Sequence, residues 1–177
     1  AHDLERTSRH LDIASNTLDS CREELKNCIW DLRNAALDEN DLNEAIRRTL
    51  SRGIGDTKLT VDLTISRTQL SDNTANAILC IIRELAVNAV RHGRATELTI
   101  TGTTEEACLK FSVHDNGCGF VPDDAPGISQ GHFGLQGIRE RLKRLNGSLS
   151  FSCPPQGGTS AIVRIHNIFA HEEPKAS

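Results

Sequence analysis

Ile78-Leu79-Cys80-Ile81-Ile82-Arg83-Glu84-Leu85-Ala86-Val87-Asn88-Ala89-Val90-Arg91-His92 is the stretch from which the rest of the chain is read. Ile78, Ile81, Ile82, Leu85 and Ala89 recur at spacings of three and four, which predicts a helix with one apolar stripe turned to a core. Asp72 or Asn73 stands where an N-terminal cap is needed, and His92-Gly93 marks the end. Glu84, Asn88, Arg91 and His92 fall at i, i+4, i+7 and i+8, so they share a face beside the stripe. An acid and an amide one turn apart suit a hydrated Mg²⁺, a hard ion bound by oxygens, and Arg91 or His92 can reach a phosphate. The same spacing also suits an ordinary solvated face.

Before this helix the period changes to two. Leu59, Val61, Leu63 and Ile65 alternate with Thr60, Asp62 and Thr64 from Lys58 onward, which predicts a strand. After it, Ala95 to Thr101 and Ala107 to His114 read as strands joined by a short polar turn, and Leu135 to Leu145 as a helix closed by Asn146-Gly147. Strands follow from Ser148 to Ser152 and from Ser160 to Ile165, separated by Pro154-Pro155-Gln156-Gly157-Gly158. Strands that come in pairs between helices predict an α+β two-layer sandwich, a mixed sheet with helices on one face, rather than a doubly wound parallel fold.

Further upstream, Leu4, Leu11, Leu18, Leu25 and Leu32 recur every seven residues, with Thr7, Ala14, Cys21, Cys28 and Ala35 three places after each. This heptad pattern predicts a long helix that packs against partner helices. Asp38-Glu39-Asn40-Asp41 interrupts it, and Asp41 can cap a short helix carrying Leu42, Ala45, Ile46 and Leu50, ended by Ser51-Arg52-Gly53. The expected organisation is therefore a helical region over 1–37, a linker with a short helix over 38–56, a globular domain over 57–166 and a polar tail over 167–177, the tail's character already showing at His166.

Composition removes several functions. A net charge of −4, with 20 Lys+Arg and 24 Asp+Glu interspersed, offers no basic stripe for a nucleic-acid backbone. Aromatics make up 3 % of residues, too few to stack on single-stranded bases. No apolar run reaches the roughly 18 residues that cross a bilayer. Cys21, Cys28, Cys80, Cys108, Cys118 and Cys153 form no C-x-x-C pair, so reduced thiols are expected rather than a zinc or redox site.

Three further stretches carry chemistry. In Val113-His114-Asp115-Asn116-Gly117-Cys118-Gly119-Phe120 a strand runs into Asp-x-Gly-x-Gly, where an ionised Asp115 accepts hydrogen bonds only, as an adenine amino group requires. In Gly131-His132-Phe133-Gly134-Leu135-Gln136-Gly137-Ile138 glycines spaced by three lead into a helix, whose N-terminal amides attract phosphates. Gly157-Gly158-Thr159 precedes the last strand. Each alone is also a turn or hinge, and neither the Gly-x-x-x-x-Gly-Lys-Ser/Thr loop nor a strand-linked Gly-x-Gly-x-x-Gly occurs.

Taken in order, the four pieces resemble the asparagine box and the glycine boxes of the GHKL superfamily of gyrase, the Hsp-type chaperone ATPase, histidine kinases and MutL. Arg83 to His92 is similar to the asparagine box, and its Asn, Arg, His ending resembles the NarX/DesK/UhpB-like kinase subgroup. Ile29-Trp30-Asp31-Leu32-Arg33 resembles the end of that subgroup's second dimerisation helix, although Asn34 stands where the subgroup often has proline. The resemblance implies the Bergerat fold, ATP and Mg²⁺ as ligands, and the catalytic domain of a two-component sensor histidine kinase. It implies that Asn88 and Glu84 serve the metal, with Glu84 orienting its water or acting as a base, and that Arg91 and His92 face the nucleotide. It implies that Asp115 reads adenine with Thr159 supporting it through water, that Gly117 and Gly119 shape that pocket, that Gly134, Leu135 and Gly137 border the triphosphate, and that a lid runs from about Phe120 to Phe133.

Partners implied in the same way are a response regulator and a second copy joined through the helical region, in a cytoplasmic portion whose membrane link would lie elsewhere. The phosphate acceptor is expected upstream of this sequence. His2-Asp3 offers an imidazole beside an acid, and His10 precedes Leu11-Asp12, but heptads unbroken from Leu4 to Leu32 leave no room for a hairpin. Alternatives are a GHKL ATPase of the gyrase or MutL kind, an anti-sigma-type serine kinase, and a nucleotide-binding domain without kinase activity.

Overall fold

The computed structural model describes residues 41–119, 133–155, 157–166 and 168. Its elements are α1 (Leu42–Leu50), β1 (Lys58–Leu63), α2 (Asp72–Arg91), β2 (Glu97–Glu105), β3 (Cys108–Asp115), α3 (Phe133–Arg144), β4 (Gly147–Ser152) and β5 (Ser160–His166), with a 3-10 turn at Arg67–Gln69. The heptad helix expected over 1–37 and most of the expected lid lie outside the described residues.

The five strands lie in the order β1-β2-β3-β5-β4, with β1 parallel to β2 and the other neighbours antiparallel. Alternation sorts the two faces as the period predicts. Val61, Leu63, Leu98, Ile100, Leu109, Phe111, Val113, Val163 and Ile165 are buried under the helices, while Thr60, Asp62, Thr101, Thr103, Lys110 and Arg164 are exposed. The α+β mixed sheet is therefore the observed fold. β2 runs further than expected, to Glu105, because Glu106 takes a left-handed φ of 55° and closes a tight hairpin that keeps Thr103 to Glu105 paired with β3.

Asp41 caps α1 by accepting from the Asn43 amide at 2.9 Å. Leu42, Ala45, Ile46 and Leu50 are fully buried in the same core as the sheet, so the short helix read as part of a linker belongs to the globular unit. Its attachment is specific. The Asn43 side chain donates to Leu63 O at 3.0 Å and accepts from Leu63 N at 2.8 Å, and Arg47 Nη2 donates to Val61 O at 3.0 Å. β1 is an edge strand with backbone groups left over, and an amide side chain satisfies both kinds.

The cap of α2 is Ser71, whose Oγ accepts from Thr74 N at 3.2 Å, and not Asp72 or Asn73. Asp72 instead opens the helix, where a carboxylate complements the dipole, and it pairs with the buried Arg67 guanidinium. Burial reaches beyond the expected stripe to Leu79, Cys80 and Ala86 because α2 packs against α1, α3 and β3 together.

α3 begins at Phe133, two residues before the expected start, so Gly134 lies within the helix and not ahead of it, alongside Gly137, which was expected inside. Burying Ile138 and Leu142 stabilises it by roughly 1.5–3 kcal/mol each, which outweighs the roughly 1 kcal/mol that each glycine costs in a helix interior. Asn146, at φ 49°, turns the chain out of α3 toward β4. At the other end the expected tail starts too early. His166 closes β5, and Ile168 is buried, its amide donating to Ala107 O at 3.1 Å.

Candidate functional site

Two groups of residues form the site, one at the end of β3 and one where α2 meets α3. At the end of β3, Asp115 is 6 % exposed and Thr159 is 8 % exposed, the only buried polar side chains among the described residues besides Arg67. Antiparallel pairing of β3 with β5 brings Thr159 beside Asp115, whose amide donates to Thr159 O at 2.9 Å. The Asp115 carboxylate accepts from the Gly117 amide at 2.8 Å through Oδ1, which leaves its other oxygen for a further donor.

Glycines set how closely the backbones come together there. A Cβ at residue 158 would overlap the Asp115 carbonyl, and one at 117 would overlap the Gly93 carbonyl. Gly158 also holds a φ of 79°, which an L side chain rarely adopts. Taken alone, Gly157-Gly158 is also turn chemistry; the structure makes Gly158 the floor against which Asp115 sits.

The loop after β3 is fastened at two points. Cys118 N donates to Gly93 O at 2.9 Å, just past the end of α2. Asn116 Oδ1 accepts from Thr96 N and Glu97 N, both at 2.9 Å, and Asn116 Nδ2 donates to Thr96 Oγ1 at 3.0 Å. Asn116 was not singled out from sequence, because Asp-Asn-Gly reads as turn chemistry; its partners are Thr96, just before β2, and Glu97, its first residue.

On α2, Glu84 and Asn88 are half-buried, and Asn88 Nδ2 lies 3.4 Å from Glu84 Oε1. A donor facing the carboxylate must be the amide nitrogen, so the Asn88 carbonyl oxygen is turned away from Glu84. Gly134 of α3 lies against this pair, since a Cβ there would overlap Glu84 Oε1. Gly137 is half-buried with the Arg141 guanidinium alongside, and Leu135 packs against the core. Arg91 and His92 are exposed at the end of α2, where the His92 carbonyl lies 3.8 Å from Cys118 Sγ.

The donor set fits Mg²⁺. Glu84 and Asn88 supply two oxygen-bearing side chains, and among the described residues no group of three or more His, Cys, Asp or Glu forms a closed metal cage. Mg²⁺ keeps several waters and commonly takes one or two protein oxygens, with the remainder from phosphates. The structure thus places a buried acceptor under a glycine floor at one end of the sheet and an acid-amide pair beside the start of α3.

The class follows from comparison with known proteins. Residues 73–167 match the family described as histidine kinase-, DNA gyrase B-, and HSP90-like ATPase, and the chain belongs to that family. Within it the chain groups with the sensor histidine kinases NarQ, NarX, UhpB, DegS and LiaS. It is 33 % identical over 161 residues to the nitrate/nitrite sensor protein NarQ of Escherichia coli (strain K12), covering 89 % of this chain and 28 % of that protein. It is 34 % identical over 128 residues to the signal transduction histidine-protein kinase/phosphatase UhpB of Salmonella typhimurium, covering 69 % of this chain and 24 % of that protein. The chain thus spans only a part of these relatives. Among solved structures, the ATP binding domain of PrrB from Mycobacterium tuberculosis shares the fold, with a TM-score of 0.57 at 18 % identity, over 72 % of this chain and 93 % of that one. The histidine kinase domain of the Escherichia coli osmosensor EnvZ does so with a TM-score of 0.53 at 20 % identity, over 77 % and 92 %.

Proposed function

We propose that this domain binds Mg·ATP and passes its γ-phosphate to a histidine of an associated helical region, from which it moves to a response regulator. The observation that carries the reading is the pairing of a buried acceptor, Asp115 above Gly158, with the half-buried Glu84 and Asn88 beside Gly134. Asp115, with Oδ1 held by Gly117, receives the adenine amino group on its remaining oxygen, and Thr159 supports it through water. Gly117 and Gly119 shape that pocket.

Asn88 and Glu84 would hold Mg²⁺, which when bound offsets the charge that develops on the transferring phosphoryl group. Glu84, beside Gly134, orients a water or accepts the proton of the attacking imidazole. Arg91 and His92, on the exposed end of α2, and Gly134, Leu135 and Gly137 on α3 border the phosphates. Two copies would associate through the helical region in the cytoplasm, and the acceptor histidine would lie on that region.

The test is to incubate the full-length protein with γ-labelled Mg·ATP and examine the bond formed. An acid-labile, base-stable label that transfers to a response regulator is expected. Acid-stable label on serine, or hydrolysis with no labelled protein, would overturn the reading.

A further inference from the structure

We infer that Asn116 is the positioning residue that holds the Asp115 carboxylate in register with the adenine pocket. This rests on the reading of Asp115 given above.

Asn116 is exposed, and an exposed asparagine in a turn is ordinarily replaceable at little cost. Here its side chain makes three hydrogen bonds, two accepted by Oδ1 from Thr96 N and Glu97 N and one donated by Nδ2 to Thr96 Oγ1. Its own amide donates to Glu97 O at 3.4 Å. All four partners belong to the two residues at the opening of β2. The loop is fastened again at Cys118 N, which donates to Gly93 O. Gly117 lies between these anchors, and Gly117 N is the donor that orients Asp115 Oδ1.

Freeing the first anchor therefore releases Gly117, and with it the carboxylate. The second anchor, at Gly93, follows the helix that carries Glu84 and Asn88, so loss at Asn116 loosens the adenine end while the acid-amide pair keeps its own support. An aspartate at 116 would preserve the geometry, because a carboxylate accepts from both amides and the Thr96 hydroxyl can reverse and donate to it.

The experiment compares binding of ATP with binding of purine riboside triphosphate, which lacks the 6-amino group, by calorimetry on the whole chain. The ratio of the two affinities reports the Asp115 contact and is insensitive to a general loss of folded protein. Asn116→Ala is expected to lower that ratio by about fivefold or more, the worth of roughly one hydrogen bond. Asn116→Asp is expected to keep it within about twofold of the parent on the same scale. If the alanine variant does not fold, the ratio is read on Asn116→Ser, whose hydroxyl is too short to span both amides. An unchanged ratio in Asn116→Ala or Asn116→Ser, with the ratio lost in Asp115→Asn, would overturn the inference and leave the adenine reading standing. A parent protein that does not distinguish the two triphosphates would overturn both.

Discussion

Gly134 on α3 and Glu84 on α2 occupy adjoining space so closely that a single added carbon at residue 134 would overlap the Glu84 carboxylate oxygen. The contact ties the start of one helix to the acid that the proposed mechanism uses on another. Because the Glu84 oxygen ends a flexible side chain, the carboxylate can swing aside without either helix moving.

Gly134→Ala is accordingly expected to leave the domain as stable as the parent, or more so by up to about 1 kcal/mol from better helix propensity. Phosphorylation of the full-length protein is expected to slow by on the order of a hundredfold, as for a catalytic group displaced by about 1 Å. A thermal melt and a phosphorylation time course on the same sample separate the two effects, and an unchanged rate would remove Glu84 from the mechanism.

Asp115→Asn keeps the shape of the side chain and can still accept from Gly117 N, but it turns an acceptor toward adenine into a donor. Nucleotide affinity is expected to fall by on the order of a hundredfold or more, with the far-ultraviolet spectrum unchanged. Retained affinity in a binding titration would refute the adenine assignment.

Asn43→Ala removes both hydrogen bonds to Leu63 and leaves edge backbone groups of β1 without their side-chain partner. The expected cost is about 1–3 kcal/mol, read as a lower urea midpoint at constant slope. No loss would mean that water replaces Asn43 freely, and that α1 is held by its apolar stripe and the Arg47 bond to Val61 O.

Ile168→Ala tests where the domain ends. Ile168 is 5 % exposed and belongs to the core cluster, so truncating it is expected to cost about 2–5 kcal/mol. A denaturation curve superposable on that of the parent would return Ile168 to the polar tail.

Local signals carried much of this molecule. The stripe of α1 and the Asp41 cap, the central stripe of α2, and the alternation in β1 were readable because helices and strands impose periods on a short stretch of chain. The errors are also physical. Leu79 and Ala86 lie off the stripe yet are buried, since a helix enclosed by α1, α3 and the sheet has little free face left. The start of α3 is expected at Leu135, with Gly134 ahead of it, because glycine's weak helix propensity is visible in sequence and the burial of Ile138 and Leu142 is not.

The sequence by itself determined the order of helices and strands, the α+β class and the four ordered stretches to which the proposed site is assigned. Only the tertiary structure placed β5 between β3 and β4, which brought Thr159 and Gly158 against Asp115, and α3 against α2, which set Gly134 on Glu84. It also gave Asn116 its partners, Thr96 just before β2 and Glu97 at its start. The physical reason is that periodicity tells which face of an element is buried, whereas the neighbour that face meets depends on pairing between segments far apart in the chain.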